Sequence, residues 1–188
     1  HYVAEEAAEY AARAGIDYNE WIKQGHLIAT PGKRTDYEYI RDDVFEKASD
    51  FESRFIGIDP YAAQIFRQWL DDELGTIWAG VRKDDGSIDW DYRSKIQTFR
   101  QGFISLGPAT ALFEEMVDLG SFTHDGNPVT AWMLGNVVLA YDAAGNFKPT
   151  KEKSKDKIDG IVASIMAIGE FSQWHAILET NNDSMGVY

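Results

Sequence analysis

Residues 53–66 read SRFIGIDPYAAQIF. An apolar run, Phe55 to Ile58, ends on one carboxylate, Asp59, and a proline follows at once. The run has the length and composition of a buried strand. Pro60 carries the backbone angle of a first helical position, so Asp59 falls on the N-cap of a helix predicted over 61–74 and stopped by Gly75. A strand that turns directly into a helix is the repeating unit of an α/β fold. It also sets an acid at the carboxyl end of a strand, where open α/β sheets hold their ligands. Asp59 thus has two readings: a cap contributing about 1 kcal/mol, or a ligand for a cation.

The flanking sequence supplies the rest of the domain. Residues 2–14 are alanine-rich, with acids early and Arg13 late, and predict a helix ended by Gly15. Asp17 caps a short helix reaching Gly25; HLIAT (26–30) is a strand and PGKRT (31–35) its loop. Residues 36–49 form an amphipathic helix with Tyr37, Ile40, Val44 and Phe45 on one face. Residues 76–98 read either as two short strands around an Asp-Gly turn or as a surface insertion. A helix is predicted from Pro108 to Leu119, with the proline in its first turn, and another follows HDGNP (124–128). VVLAYDAAGNFKPT (137–150) is a strand, a turn and an extended return. Residues 161–171 are apolar almost all round, hence a buried helix, and the tail from Gln173 is expected to fray. Strands alternating with helices give one α/β domain over 1–188, a mixed sheet flanked by helices.

The chain has 188 residues, 44% apolar and 26% charged, the balance of a globular domain with a full core. No apolar run reaches the ~18 residues of a membrane span, and the acidic N-terminus is not that of a signal peptide. The absence of cysteine excludes disulfides, Cys-ligated zinc and thiol nucleophiles, and fits a reducing cytosol. The net charge is −13, which repels nucleic acid at long range. Contact with DNA would require local basic patches or bound cations.

Asp159 is a second acid of interest. It precedes Gly160 and the apolar helix, with Asp156 three residues earlier. A helix-start acid is favoured by the dipole, which is its structural reading. Its chemical reading is as a partner of Asp59, because Mg²⁺ and Mn²⁺ seek carboxylate oxygens. Two such ions ~3.5–4 Å apart activate a water and stabilise the leaving oxygen in phosphodiester hydrolysis. Lys148, Lys151, Lys153, Lys155 and Lys157 form the one dense basic run, just before Asp159, either a solvated loop or a phosphate contact. His124, Asn127 and Pro128 read as a loop anchor or a substrate contact, and the four histidines show no metal-ligand spacing. TPGKRT (30–35) lacks the glycine and hydroxyl of a phosphate-binding loop, and DDGSIDWD (84–91) lacks the alternation of a calcium loop.

WIKQGHLIATPGKRTDYEYI (21–40), GIDPYAA (57–63), FRQGFISLGPATALFEEMV (99–117) and the long string from His124 to Gly169 resemble the C-terminal half of tailed-phage terminase large subunits. The resemblance covers about Tyr18 to Phe171, interrupted at 76–98, and is most specific from Asn127 to Gly160. It implies a ribonuclease H-like nuclease domain that cuts concatemeric viral DNA with divalent metal, Mg²⁺ or Mn²⁺, in the host cytoplasm during virion assembly. The motor ATPase of that family is a separate N-terminal domain, which nothing here matches. By motif, Asp59 and Asp159 correspond to catalytic metal ligands and Asp156 to an auxiliary acid; Lys153 and Lys155 would hold the DNA backbone. The implied partners are double-stranded DNA, the terminase small subunit and the portal protein. The family pattern has a further acid on the first strand, upstream of this region, and no strand ending in an acid precedes Tyr18. The sequence is therefore expected to lack the first strands of the sheet and to bind metal weakly on its own. Two other roles fit the same residues: a non-catalytic docking module of the packaging motor, and a ribonuclease H-like junction resolvase.

Overall fold

Short strands and longer helices alternate along the chain. The computed structural model describes residues 1–8, 16–51, 53–60 and 64–184. β1 (Tyr2–Ala4) pairs in parallel with β2 (Ile28–Thr30), and α1 (Tyr18–Lys23) lies between them in sequence. Asp17 caps α1, its carboxylate accepting from the Glu20 N–H at 3.3 Å. α2 (Tyr37–Asp50) starts at Asp36, whose carboxylate accepts from the N–H groups of Glu38 and Tyr39. β3 (Ile56–Ile58) is followed by α3 (Gln64–Leu74). Residues 61–63, and with them the predicted first turn of that helix and its cap contact with Asp59, lie outside the described residues. β4 (Thr76–Arg82) and β5 (Ile88–Ser94) form an antiparallel hairpin, and β6 (Ile96–Thr98) pairs in parallel with β3. α4 (Phe103–Asp118) and α5 (Pro128–Gly135) come next. The antiparallel pair β7 (Leu139–Tyr141) and β8 (Phe147–Pro149) precedes the long α6 (Asp159–Ser184).

Several elements depart from expectation, each for a physical reason. The helix predicted over 2–14 begins as strand β1, because Tyr2 and Val3 suit a strand and have β2 to pair with; residues 5–8 are helical, and Gly15 lies outside the described residues. In the 76–98 stretch the hairpin reading holds: Gly86 takes φ +83°, and Lys83 N–H donates to the Ser87 carbonyl at 2.8 Å. β6 is not part of that excursion, since its Ile96 is among the most deeply buried side chains. α4 starts five residues before Pro108. The proline leaves the Ile104 carbonyl without its usual donor. Burial of Leu106, Ala109 and Phe113 on the opposite face holds the turn, and Ile104 itself faces solvent. α6 runs through the segment expected to fray, continuing to Ser184.

α6 organises the core. Ile161, Val162, Ile165 and Met166 are buried against α4 and α5, with Ile158 plugging the turn just before the helix. Where α6 passes Phe99 the packing allows no side chain: a Cβ on Gly169 would stand 2.7 Å from the Phe99 ring and 2.9 Å from Ala109 Cβ.

Candidate active site

α6 also fixes the relation between the two acids singled out in the sequence. Phe55 packs on Trp174 with ring centroids 5.1 Å apart, and two residues on, a Cβ at Gly57 would stand 3.3 Å from Glu170 Cγ. Strand numbers rise while helix numbers fall, so β3 runs antiparallel to α6, toward its start. The match is metric: two strand residues advance about 6.6 Å and four helical residues about 6 Å. Continued to Asp59, the same step reaches the level of residue 166, leaving about 10 Å of helix to Asp159. Asp59 and Asp159 thus head toward the same end of the molecule.

Asp159 is the first residue of α6, directly after the buried Ile158 whose carbonyl accepts from Ile161 and Val162 N–H. Burying one residue turns the next outward, and the helix dipole favours the acid there. Gly160 lets α5 close on this corner: its N–H lies 3.2 Å from Met133 Sδ, and a Cβ would come within 2.9 Å of that sulfur. The carboxylate of Asp159 holds the Lys151 ammonium at 2.5 Å, with both side chains more than half exposed.

Asp156 and Asp159 line one open cavity of about 1270 Å³, together with Tyr18, Lys33, Arg34 and Lys157. Tyr18 reports the acids electrically: burial first, then the charges of Asp156 and Asp159, raise its hydroxyl above the ordinary tyrosine range. Asp59, half-buried beyond β3, does not line this cavity. Among the described residues no set of three or more His, Asp or Glu side chains converges as a complete metal site. Of the acids singled out in the sequence, Asp156 and Asp159 line this cavity and Asp59 does not.

The basic run divides by role. Lys148 is structural, donating to the Gln101 carbonyl at 2.5 Å and lying over the Phe103 ring. Lys151 pairs with Asp159, Lys157 lines the cavity, and Lys153 and Lys155 are exposed on the same loop without lining it. Asn127 is a loop anchor: its side chain accepts from Val129 N–H at 2.9 Å and donates to the His26 carbonyl at 3.2 Å. His124 accepts from Gly126 N–H and stacks on Phe122. Sequence reasoning passed over Tyr18 and Glu170 and did not single out Lys151 within the basic run. Lys151 was visible only as one lysine of five, and nothing local marks Tyr18 or Glu170, because long-range packing brings each to its place.

The parallel pair β3–β6 packed along the long helix α6 belongs to a mixed α/β domain of the ribonuclease H-like class, the class of the solved structure it matches. The chain belongs to the terminase large-subunit family, matching the model of the "Terminase large subunit, endonuclease domain" over residues 2–174. It is 32% identical over 152 residues to the large terminase subunit of Enterobacteria phage HK97, covering 81% of this chain and 27% of that protein. It is 30% identical over 161 residues to protein YmfN of Escherichia coli K12, covering 84% and 31%. The crystal structure of the HK97 large terminase superposes with a TM-score of 0.74 at 28% identity, covering 90% of this chain and 32% of that one. The chain thus spans about a quarter to a third of the relatives it matches.

Proposed function

We propose that this domain is a metal-dependent endonuclease that hydrolyses phosphodiester bonds of concatemeric viral DNA during packaging. The observation that supports the reading is the match of residues 2–174 to the endonuclease-domain family, and the antiparallel run of β3 along α6 is consistent with Asp59 and Asp159 acting together. Asp59 and Asp159 would ligate Mg²⁺ or Mn²⁺, two ions in all, with Asp156 as an auxiliary acid. When bound, such ions supply an activated water and stabilise the departing oxygen. The chain's own groups do the positioning. Ile158 and Gly160 fix the direction of Asp159, and Lys151 pairs with its carboxylate. Lys153 and Lys155 would hold the DNA backbone through contacts that carry no base information, so cutting would be largely independent of sequence. In a packaging motor the partners would be the portal protein and the small terminase subunit, in the host cytoplasm.

The test is nicking of supercoiled plasmid in Mn²⁺ by wild type, Asp59→Asn and Asp159→Asn, with melting curves as folding controls. The reading expects nicking by wild type alone. Equal nicking by all three rejects the site, and no nicking by wild type supports a docking role instead. A branched substrate cut in preference to the plasmid would favour a resolvase.

A further inference from the structure

The cavity lined by Asp156 and Asp159 is also lined by the loop 31–36, which carries Lys33 and Arg34. The loop is pinned at both ends. Thr30, fully buried at the end of β2, donates to the Val3 carbonyl and accepts from Asp36 N–H at 3.1 Å. Asp36 caps α2, Gly32 takes φ +88°, and the Gly32 carbonyl accepts from Glu6 N–H. Both basic side chains are exposed, and among the described residues neither forms an ion pair. On a chain of net charge −13, Lys33 and Arg34 put two adjacent cations on one cavity. Lys151, on the same side of the domain, is already neutralised by Asp159. The charge available to a ligand in this cavity therefore comes from Lys33 and Arg34, with Lys157 also lining it.

We infer that Lys33 and Arg34 form a phosphate clamp that grips the DNA backbone in the cavity they share with Asp156 and Asp159. The inference rests on the nuclease reading above for the identity of the ligand, and names a contact that reading lacks. Arg34 suits the role through its planar fork, which takes two phosphate oxygens at once, and Lys33 adds a point charge beside it. A loop tied down at Thr30 and Asp36 would hold them with little loss of freedom on binding. The nucleotide-loop pattern is absent here because a backbone phosphate needs no glycine cradle, only donors at the right wall.

The experiment is fluorescence anisotropy of a labelled duplex without divalent metal, across a salt series, for wild type, Lys33→Gln/Arg34→Gln and the charge-keeping Lys33→Arg/Arg34→Lys. The clamp predicts roughly fivefold or greater weakening for the Gln pair, a salt slope lower by about 2, and recovery in the charge-keeping pair. Unchanged affinity and slope in the Gln pair, or no duplex binding by wild type, overturns it. Nicking is read separately. Wild type that binds the duplex through Lys33 and Arg34 yet cuts nothing in Mn²⁺ leaves the clamp standing and sinks the nuclease reading.

Discussion

At the scale of single residues, charge at the site separates function from stability. The Lys151–Asp159 pair lies more than half in solvent, where ion pairs contribute about 0–1 kcal/mol. Lys151→Ala should therefore shift the denaturation midpoint only slightly, a result read directly from urea melts. Glu170 behaves differently. It lies against Gly57 on β3, and burial raises its carboxyl above the ordinary range. The folded state then holds the Glu170 proton more tightly than the unfolded chain does. The group's contribution to stability is greatest below the unfolded value of 4.5 and falls as pH rises through the higher folded value. Glu170→Gln cannot ionise, so it should melt above wild type at neutral pH, with the difference closing toward about pH 4. Thermal melts across that range check it, and a difference independent of pH would show that burial of the charge is not the cause.

At the scale of elements, the helix starts and helix crossings set the site. Asn127 caps α5 and ties it to the His26 carbonyl ahead of β2, so Asn127→Ala should cost about 1 kcal/mol for the cap, with more if the His26 carbonyl finds no new donor. α6 meets α4 and the end of β6 at Gly169, where any Cβ collides with Phe99 and Ala109. Gly169→Ala should destabilise by about 1–3 kcal/mol despite the better helix propensity of alanine. Chemical denaturation measures both. A stabilised Gly169→Ala would mean that the crossing relaxes freely. Elements were legible in the sequence where a local signal decided them. Asp17 and Asp36 marked helix starts, and the Asp-Gly turn marked the hairpin tip. They were illegible where distant partners decided. Tyr2–Ala4 became a strand because β2 lies beside it, and α4 ran upstream through Pro108 because its buried face outweighed one lost hydrogen bond.

At the scale of the whole molecule, the sequence pointed to both acids but could not give the distance between them. That distance depends on the direction of β3 against α6, which the pairs Phe55–Trp174 and Gly57–Glu170 show. The basic run was equally ambiguous: five lysines in ten residues gave no hint that Lys148 packs, Lys151 pairs and Lys157 lines the cavity. No helix among the described residues is long and apolar enough to cross a membrane. The acidic surface instead makes any DNA contact a matter of a few placed cations and bound metal. The central claim is that Asp59 and Asp159 serve one cation centre. A Mn²⁺ titration followed by calorimetry tests it without relying on turnover. Wild type should take up Mn²⁺, Asp59→Asn and Asp159→Asn should each lose most of that uptake, and the double variant should lose little more, the non-additivity of a shared site. Single variants that bind Mn²⁺ as well as wild type would contradict the account.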